Sequence, residues 1–396
     1  MQAFEDAQRT DAGPAAHGEP IGRFLDRVSG EYWDAVRHLI NDWFGRFCLE
    51  AQADLRSRLR STDDRQFVAA FFELYLHESL VRSGYTVSCH PALSGTSRRP
   101  DFLAQSASGS FYLEARSINS SDSAVAVANR RSRIYNAING VNSPNFFISV
   151  SVDEEAPTDP RTGPLRAELE KWLEPLDPDV ASASVAASDF SALPTYAWRR
   201  DGWHVTFRAI PKAPGSRGPD TGLRPLGAWG PGQAYAVDDS TPLKSALSEK
   251  GKAYGDFEFP YVVAVNTSTL TSDDFDVTNV LYGTQLLQLG TTSRGASFTR
   301  ATRANDGYWL GSDGWLHSNV AAVLVVRNVT PWNVGGLVPT LWHHPQPGLA
   351  AASGVPIWRH IRATASGLEE VAPSQSPTSF FELGEPWPPR GPLLDA

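Results

Sequence analysis

PDFLAQSASGSFYLEARS, residues 100–117, is the stretch of this chain that decides its predicted fold. Two strand-like runs lie on either side of a Ser/Gly-rich turn, a pattern that predicts a β-hairpin. Side chains alternate between the two faces of a strand, so Tyr112, Glu114 and Arg116 share one face of the second strand. The hairpin therefore carries an acidic and a basic side chain on the same face.

The pairing of the two strands brings a second acid to that surface. If Gln105 pairs with Ser110, Asp101 lies opposite Glu114, with about 4.5–5.5 Å between their Cβ atoms. Two carboxylates at this distance repel each other unless a cation lies between them. Mg²⁺ suits such a site, because carboxylates, waters and a substrate phosphate can supply its oxygen ligands. With Arg116 placed to hold a phosphate, the hairpin predicts metal-assisted phosphodiester hydrolysis.

The hairpin and its neighbours resemble the core of the PD-(D/E)xK (restriction-endonuclease-like) nuclease superfamily. Residues 100–101, Pro-Asp, match the first half of the motif, and residues 114–116, Glu-Ala-Arg, match the second half with Arg in place of Lys. The resemblance covers residues 67–155 in detail. It implies an α/β fold with a restriction-endonuclease-like mixed β-sheet core flanked by helices, with insertions and an irregular C-terminal extension.

The resemblance also implies a set of metal ligands. Asp101 and Glu114 are expected to bind Mg²⁺ or Mn²⁺, with the carbonyl of Ala115 as a further ligand. The helix FFELYLHESL before the hairpin looks like the family's first core helix, which commonly supplies another carboxylate. This helix is apolar nearly all round, so an acid on it needs a partner, a metal or a raised pKa. We prefer Glu73 as that acid, and Glu78 is the alternative.

The arginine in the motif changes the expected chemistry. Family members use a lysine to position or activate the attacking water, whereas Arg116 stays protonated and can only clamp a phosphate. In some members the lysine has moved to a nearby helix. Among the five lysines of the chain, Lys250 is the best candidate, because it shares a helix face with Leu243 and Leu247. Lys250 therefore joins the predicted catalytic residues, and the alternative is a lysine stem lying over apolar surface.

The length of 396 residues suits one large domain with insertions, or two domains. The core is expected to run helix, three strands, helix, strand, ending with NFFISVSVD. The predicted segments are 1–20, a disordered leader; 21–62, an N-terminal helical segment; 63–155, the nuclease-like core; 156–240, an insertion; 241–345, further sheet and helix elements packed on the core; and 346–396, an irregular C-terminal tail.

Composition and charge limit the class of protein. A hydrophobic content of 41% and a charged content of 20% are ordinary for a globular protein. The net charge of −9 argues against a protein that coats nucleic acid by charge alone, but it allows a local basic groove. No apolar run reaches the roughly 18 residues of a membrane span, so no membrane partner is expected. Cys48 and Cys89 predict neither a disulfide framework nor a zinc cluster. Together with an N-terminus unlike a signal peptide, they predict a cytoplasmic location.

Several other polar residues have structural interpretations. His77 is predicted to be a packed helix residue rather than a ligand. His343 and His344 are predicted to lie at the surface, because adjacent histidines diverge on a strand and no third ligand follows at a telling spacing. The arginine cluster at 130–133 fits a solvated helix face and a phosphate contact equally well.

The sequence thus predicts a Mg²⁺- or Mn²⁺-dependent nuclease that hydrolyses phosphodiester bonds, with DNA as the expected substrate. A homodimer is left open. One alternative is a degenerate member that binds nucleic acid or a protein partner without cleavage, which Arg116 and the acidic net charge favour. The other is an unrelated α/β protein, in which Asp101 and Glu114 would lie on opposite faces of the sheet.

Overall fold

The structure is a computed structural model of the chain, and it divides into two compact units. Unit 1 comprises residues 1–14, 20–119 and 236–396, and unit 2 comprises residues 15–19 and 120–235. The residues that the structure describes are 1–107, 109–118, 122–187, 190–218, 224–227, 240–251, 257–267, 274–291, 297–312, 314–346, 354–364 and 367–389.

Helices and strands alternate along the described residues. The α-helices are α1 (Ile21–Arg27), α2 (Glu31–Arg46), α3 (Gln52–Leu59), α4 (Asp64–Arg82), α5 (Asp122–Asn139), α6 (Gly163–Leu173), α7 (Pro178–Ala187), α8 (Ser240–Gly251), α9 (Asp274–Tyr282) and α10 (Pro377–Phe380). The strands are β1 (Thr86–Cys89), β2 (Phe102–Ser106), β3 (Gly109–Ile118), β4 (Phe146–Glu154), β5 (Thr195–Arg200), β6 (Trp203–Pro211), β7 (Tyr261–Thr267), β8 (Gln285–Thr291), β9 (Ser297–Arg303), β10 (Leu310–Gly311), β11 (Gly314–Trp315), β12 (Ala322–Arg327), β13 (Thr340–His343), β14 (Arg359–Thr364) and β15 (Gly367–Val371). Among the described helices, none has the length and apolar character needed to span a bilayer.

Unit 1 is built on a mixed eight-stranded sheet in the order β1-β2-β3-β7-β12-β13-β14-β15. The first three strands are antiparallel neighbours, and β3, β7 and β12 run parallel to one another. Every residue of β7 is buried, as expected for a strand covered on both faces. The predicted mixed α/β architecture, with helices packed on a sheet, is therefore confirmed.

Different helices cover the two faces of this sheet. On one face, the ring of His77 in α4 lies 6.0 Å from the ring of Phe102 in β2. On the other face, Tyr112 of β3 shares an apolar cluster with Leu247 of α8. Since successive residues of a strand point to opposite faces, Glu114 lies on the α8 side, with Tyr112.

The predicted core of residues 63–155 is divided between the two units. Helix α5 and strand β4 follow β3 in the chain, but both belong to unit 2, where β4 pairs with β6 in a sheet of order β4-β6-β5. The strand that lies beside β3 is β7, with Glu114 in register with Val263. The prediction followed the tendency of consecutive elements to be neighbours. The continuous apolar run of β7 is the stronger indication of the strand beside β3. Strand β4, by contrast, is only partly buried. The interruption thus covers residues 120–235 instead of 156–240.

Both ends of the described chain hold more structure than predicted. Phe4 is fully buried, and its backbone exchanges hydrogen bonds of 2.9 and 2.8 Å with the side-chain amide of Asn41. The prediction of a disordered leader is therefore wrong at Phe4. In the predicted irregular tail, β14 and β15 extend the large sheet. These strands are short and have Pro- and Gly-rich neighbours, so their periodicity is too brief to detect in the sequence.

Unit 2 has its own core, and arginines of the cluster at 130–133 form ion pairs within the unit. Helices α5 and α6 and strands β4 and β6 contribute to one buried apolar cluster. Arg131 lies 3.3 Å from Glu155, and Arg133 lies 2.9 Å from Asp159, both measured between nitrogen and oxygen atoms. These ion pairs agree with the structural interpretation of the cluster at 130–133.

Cys48 and Cys89 form a disulfide, so the prediction of unpaired cysteines is wrong. Cys48 follows α2 and Cys89 ends β1, and folding brings their Cα atoms to 6.1 Å across a sequence separation of 41. This distance lies in the usual range for disulfides. Spacing in the sequence could not reveal it, because it depends on how α2 packs beside β1. The cytoplasmic location had rested on free thiols and stays a prediction.

Three histidines that the sequence analysis considered are buried, although burial was predicted for His77 alone. His77 packs in the interior as expected, with its ring 4.7 Å from Phe47, and burial followed by the charge of Arg46 lowers its pKa to about 4. His343 and His344 are also buried, so their prediction as surface residues is wrong. All of β13 is buried, and the ring of His344 packs 5.3 Å from the ring of Trp309.

Candidate active site

The β2–β3 hairpin has the predicted register. Gln105 pairs with Ser110, and Phe102 pairs with Leu113. Continued by one residue, this register sets Asp101 opposite Glu114. We refer to Asp101 and Glu114 as the acidic pair.

Two hydrogen bonds fix Asp101 just before β2. Its side-chain Oδ2 accepts from the backbone N–H of Ala115 at 2.7 Å. Its backbone carbonyl accepts from the N–H of His90 at 2.9 Å. The first contact holds the Asp101 carboxylate against the backbone of the residue that follows Glu114.

Glu114 is the more enclosed member of the acidic pair, with 3% of its surface exposed. It occupies a row with Val263 on the face that α8 covers. A carboxylate enclosed in this way is costly unless donors or a cation stabilise its charge. On the same face, burial and then the charge of Glu258 raise the pKa of Tyr112, so the phenol stays protonated.

Pro100 bears on whether the backbone carbonyl of Ala115 can serve as a metal ligand. The N–H of Tyr112 donates to Pro260 on the β7 side at 2.8 Å, so the N–H and C=O of Ala115 point the other way, toward β2. Continued by two residues beyond Phe102, the register sets Pro100 opposite Ala115. Proline has no N–H, so it cannot donate a ladder hydrogen bond to the Ala115 carbonyl. That carbonyl therefore faces the side of Asp101, as a third oxygen beside the acidic pair.

Arginines provide the positive charge around this point. Arg116 is exposed on β3, two residues beyond Glu114 on the same face. Arg98 and Arg99 are exposed directly before the Pro-Asp sequence, and Arg99 donates to the carbonyl of His90 at 3.4 Å. Sequence reasoning missed these two residues. The consecutive basic residues directly before the motif were the signal that could have revealed them.

The acids of α4 lie elsewhere and have arginine partners. Glu73 receives two hydrogen bonds from Arg58, at 2.7 and 2.6 Å. Glu78, whose side chain is 0% exposed, receives hydrogen bonds from Arg46 at 2.7 Å and from Arg82 at 2.6 Å. Because α4 packs on the face opposite to the acidic pair, the structure does not bring either acid to it.

Lys250 lies in α8, the helix that packs on the face bearing Glu114. Its side chain lies outside the part of the chain that the structure describes, so its role stays a prediction.

The arrangement offers oxygen donors next to guanidinium groups. Two carboxylates and a carbonyl are the hard ligands that Mg²⁺ and Mn²⁺ prefer, and guanidinium groups match phosphate. Comparison with protein-family models, curated proteins and solved structures gives no match for this chain. The chemistry of this site is therefore the basis for the function.

Proposed function

We propose that the protein is a Mg²⁺- or Mn²⁺-dependent nuclease that hydrolyses phosphodiester bonds in DNA. The observation that supports the proposal is the register of the hairpin, which, continued beyond Phe102, would set Asp101 beside Glu114 and Pro100 beside Ala115. In the proposed arrangement three oxygen donors would converge beside Arg116, which is exposed. The hydrogen bond from Ala115 to Asp101 keeps them together.

The topology of unit 1 supports a restriction-endonuclease-like core. The order helix, three antiparallel strands, helix, parallel strand is made by α4, β1, β2, β3, α8 and β7. In this proposal, residues 120–235 form an insertion between the third strand and the second helix of the core. A site on β3, next to a parallel strand, would lie on the rigid part of such a fold.

Each residue of the site has a proposed role. Asp101, Glu114 and the Ala115 carbonyl would hold the ion, which when bound would supply charge stabilisation and an activated water. Arg116 orients the scissile phosphate and stabilises its developing charge, and it cannot remove a proton. We keep Lys250 as the residue that positions the nucleophile, in line with its place on α8.

Arg98 and Arg99 give the proposed substrate a binding path. Both are exposed and belong to the segment that leads into Asp101. Arginines in such positions bind phosphates of the nucleic-acid backbone without reading sequence. Because the chain has a net charge of −9, we expect binding to depend on this local cluster and to weaken steeply with salt.

The test is cleavage of supercoiled plasmid, single-stranded DNA and RNA in Mg²⁺ and in Mn²⁺. We expect Asp101→Asn and Glu114→Gln to reduce the rate by about 100-fold or more, equivalent to about 2.7 kcal/mol. Glu73→Gln is the matched control and should leave the rate unchanged. Calorimetric titration with Mn²⁺ should show one site that both acidic-pair variants lose.

The same assays evaluate the alternative function. A wild-type protein that binds DNA but cuts none of the substrates, with binding unchanged in Asp101→Asn, would identify a catalytically degenerate binding protein. Absence of Mn²⁺ binding that depends on both acids would reject the proposed metal site.

A further inference from the structure

A second cluster of metal-binding side chains lies on the other face of the large sheet. One ligand atom each from Cys48, His77 and Cys89 lies within 4.8 Å of the other two. Three separate elements provide them, since Cys48 follows α2, His77 is in α4 and Cys89 ends β1. The chain contains two cysteines, and both are in this cluster.

The environment of His77 indicates that its imidazole lacks a ligand in the disulfide form of the cluster. The residue is 2% exposed, and its Nδ1 atom is buried without a hydrogen-bond partner. A buried polar atom left in this state costs about 1–3 kcal/mol. In its surroundings the imidazole packs against the rings of Phe47 and Phe102. Such a wall excludes water and fixes the orientation of the ring.

We propose that reduction of the Cys48–Cys89 disulfide creates a zinc site made of the two thiolates and the imidazole of His77. Zinc is the expected ion, because thiolate and imidazole ligands select it over Mg²⁺. Two thiolates and Zn²⁺ together carry no net charge, which suits a buried position. The fourth ligand is a water on the side of Cys48, the half-buried member of the cluster.

The disulfide is converted to the zinc site by a two-electron thiol–disulfide exchange followed by metal binding. A dithiol reductant attacks the Cys48 sulfur, which is the more accessible of the two, and Cys89 leaves as a thiolate. The second thiol of the reductant then closes its own disulfide and releases Cys48. Zn²⁺ binds the two sulfurs and one imidazole nitrogen, and the protons of both thiols go to solvent.

This zinc site is independent of the proposed nuclease site but is linked to it by the chain. Cys89 pairs with Phe102, and the next residue, His90, donates its N–H to the carbonyl of Asp101. The sheet separates the two sets of ligands, because His77 lies on the α4 face and Glu114 on the α8 face. Each site can therefore be removed by substitution without touching the ligands of the other.

The experiment uses Co²⁺ as a spectroscopic probe for the full chain. Protein reduced with dithiothreitol and freed of reductant without oxygen is titrated with Co²⁺, and oxidised protein is the reference. We expect one Co²⁺ per chain, a thiolate-to-cobalt charge-transfer band, tetrahedral d–d absorption, and displacement by one equivalent of Zn²⁺. Oxidised protein should show none of these bands.

The variants separate a three-ligand site from simple thiol binding. His77→Phe keeps both cysteines and fills the same space, and it should weaken Co²⁺ binding by at least the roughly 10–100-fold that loss of an outer-shell partner costs. His38→Phe, at an exposed histidine of α2, and Asp101→Asn should both bind Co²⁺ like the wild type. An unchanged affinity in His77→Phe, or no charge-transfer band in the reduced wild type, would overturn the proposal.

Folding of the reduced chain is followed by far-UV circular dichroism in the same samples. If reduction unfolds the protein, restoration of the spectrum by one equivalent of Zn²⁺ supports the site, because binding is then coupled to folding. Failure of Zn²⁺ to restore it counts against the proposal.

Discussion

The acids on the two faces of the large sheet are held in different ways. On the α4 face, Glu73 and Glu78 each bind arginine side chains at 2.6–2.7 Å. On the α8 face, Asp101 and Glu114 face each other across two strands, and a backbone N–H of β3 holds the Asp101 carboxylate. On the α4 face the acids are thus tied to arginines of neighbouring helices, and on the α8 face two acids lie close to each other on adjacent strands.

This difference separates structural acids from the proposed functional ones. An acid paired with arginine ties helices together, since Arg58 of α3 and Arg46 of α2 both reach acids of α4. Two acids brought together gain nothing from each other and are stabilised by a cation. The predictions below test whether each face behaves accordingly.

The largest expected effect comes from making the same substitution on each face. We expect Glu114→Gln to reduce DNA cleavage about 100-fold, or about 2.7 kcal/mol in the barrier, while leaving thermal stability unchanged or improved. We expect Glu78→Gln to cost about 2 kcal/mol of stability, because it removes the buried anion that Arg46 and Arg82 share. Cleavage by folded Glu78→Gln should equal that of the wild type.

Rates and urea unfolding curves measured on the same preparations check this contrast. Reversed outcomes, with Glu114→Gln unstable but active, would assign the structural role to the sheet acids and remove the distinction between the faces.

The hairpin was predictable because its information is local. Alternation, a Ser/Gly turn and the register from Gln105 to Ser110 are contained in 18 consecutive residues. The fourth strand was not predictable in the same way, because residues 120–235, which belong to a separate unit, lie between β3 and β7 in the sequence. The continuous apolar run of β7 is the available indication of this pairing. The order of elements along the chain favours β4 instead, because β4 lies closer to β3 in the sequence.

Long-range contacts also explain the remaining differences. The sequence showed Glu73 and Glu78 as buried acids in need of partners, but not which arginines would reach them. The Cys48–Cys89 disulfide likewise depends on packing between elements that are far apart in sequence. The Pro-Asp pair was recognised as a motif, yet the role of Pro100 opposite the Ala115 carbonyl required the register.

The second prediction concerns stabilisation by the metal. A ligand that binds only the folded state stabilises it by about 1.4 kcal/mol at ten times its dissociation constant. We expect Mn²⁺ to raise the melting temperature of the wild type and of Glu73→Gln by the same amount. Asp101→Asn should show no rise. Differential scanning fluorimetry over a Mn²⁺ series measures this effect, and a rise that persists in Asp101→Asn would place the ion elsewhere.

The third prediction compares arginines. Arg58 binds both oxygens of Glu73, and lysine cannot reproduce that geometry, so Arg58→Lys should cost about 1 kcal/mol of stability. Arg116→Lys, at an exposed position, should leave stability unchanged within about 0.5 kcal/mol. It also restores the motif lysine, so cleavage should be kept or increased. Loss of cleavage in Arg116→Lys would show that the site requires the guanidinium group itself.

The last prediction is the contribution of His77, on the α4 face, to the pH dependence of stability. Burial and the charge of Arg46 lower the pKa of His77 to about 4, whereas the unfolded chain has the ordinary value of about 6.5. The unfolded state therefore binds the extra proton first, and stability is lost as the pH falls from about 6.5 to about 4. Between pH 7 and 5.5 the loss from this one group is about 1 kcal/mol.

His77→Phe should remove that contribution and make the plot of unfolding free energy against pH shallower in this window. His38→Phe, at an exposed histidine of α2, is the matched control for the loss of an imidazole. The comparison uses oxidised protein, so that the disulfide holds Cys48 and Cys89 throughout and only the proton uptake of one imidazole differs. An equal slope in His77→Phe and wild type would mean that His77 is already charged in the folded protein at pH 5.5, and that the α4 face tolerates a further cation beside Arg46.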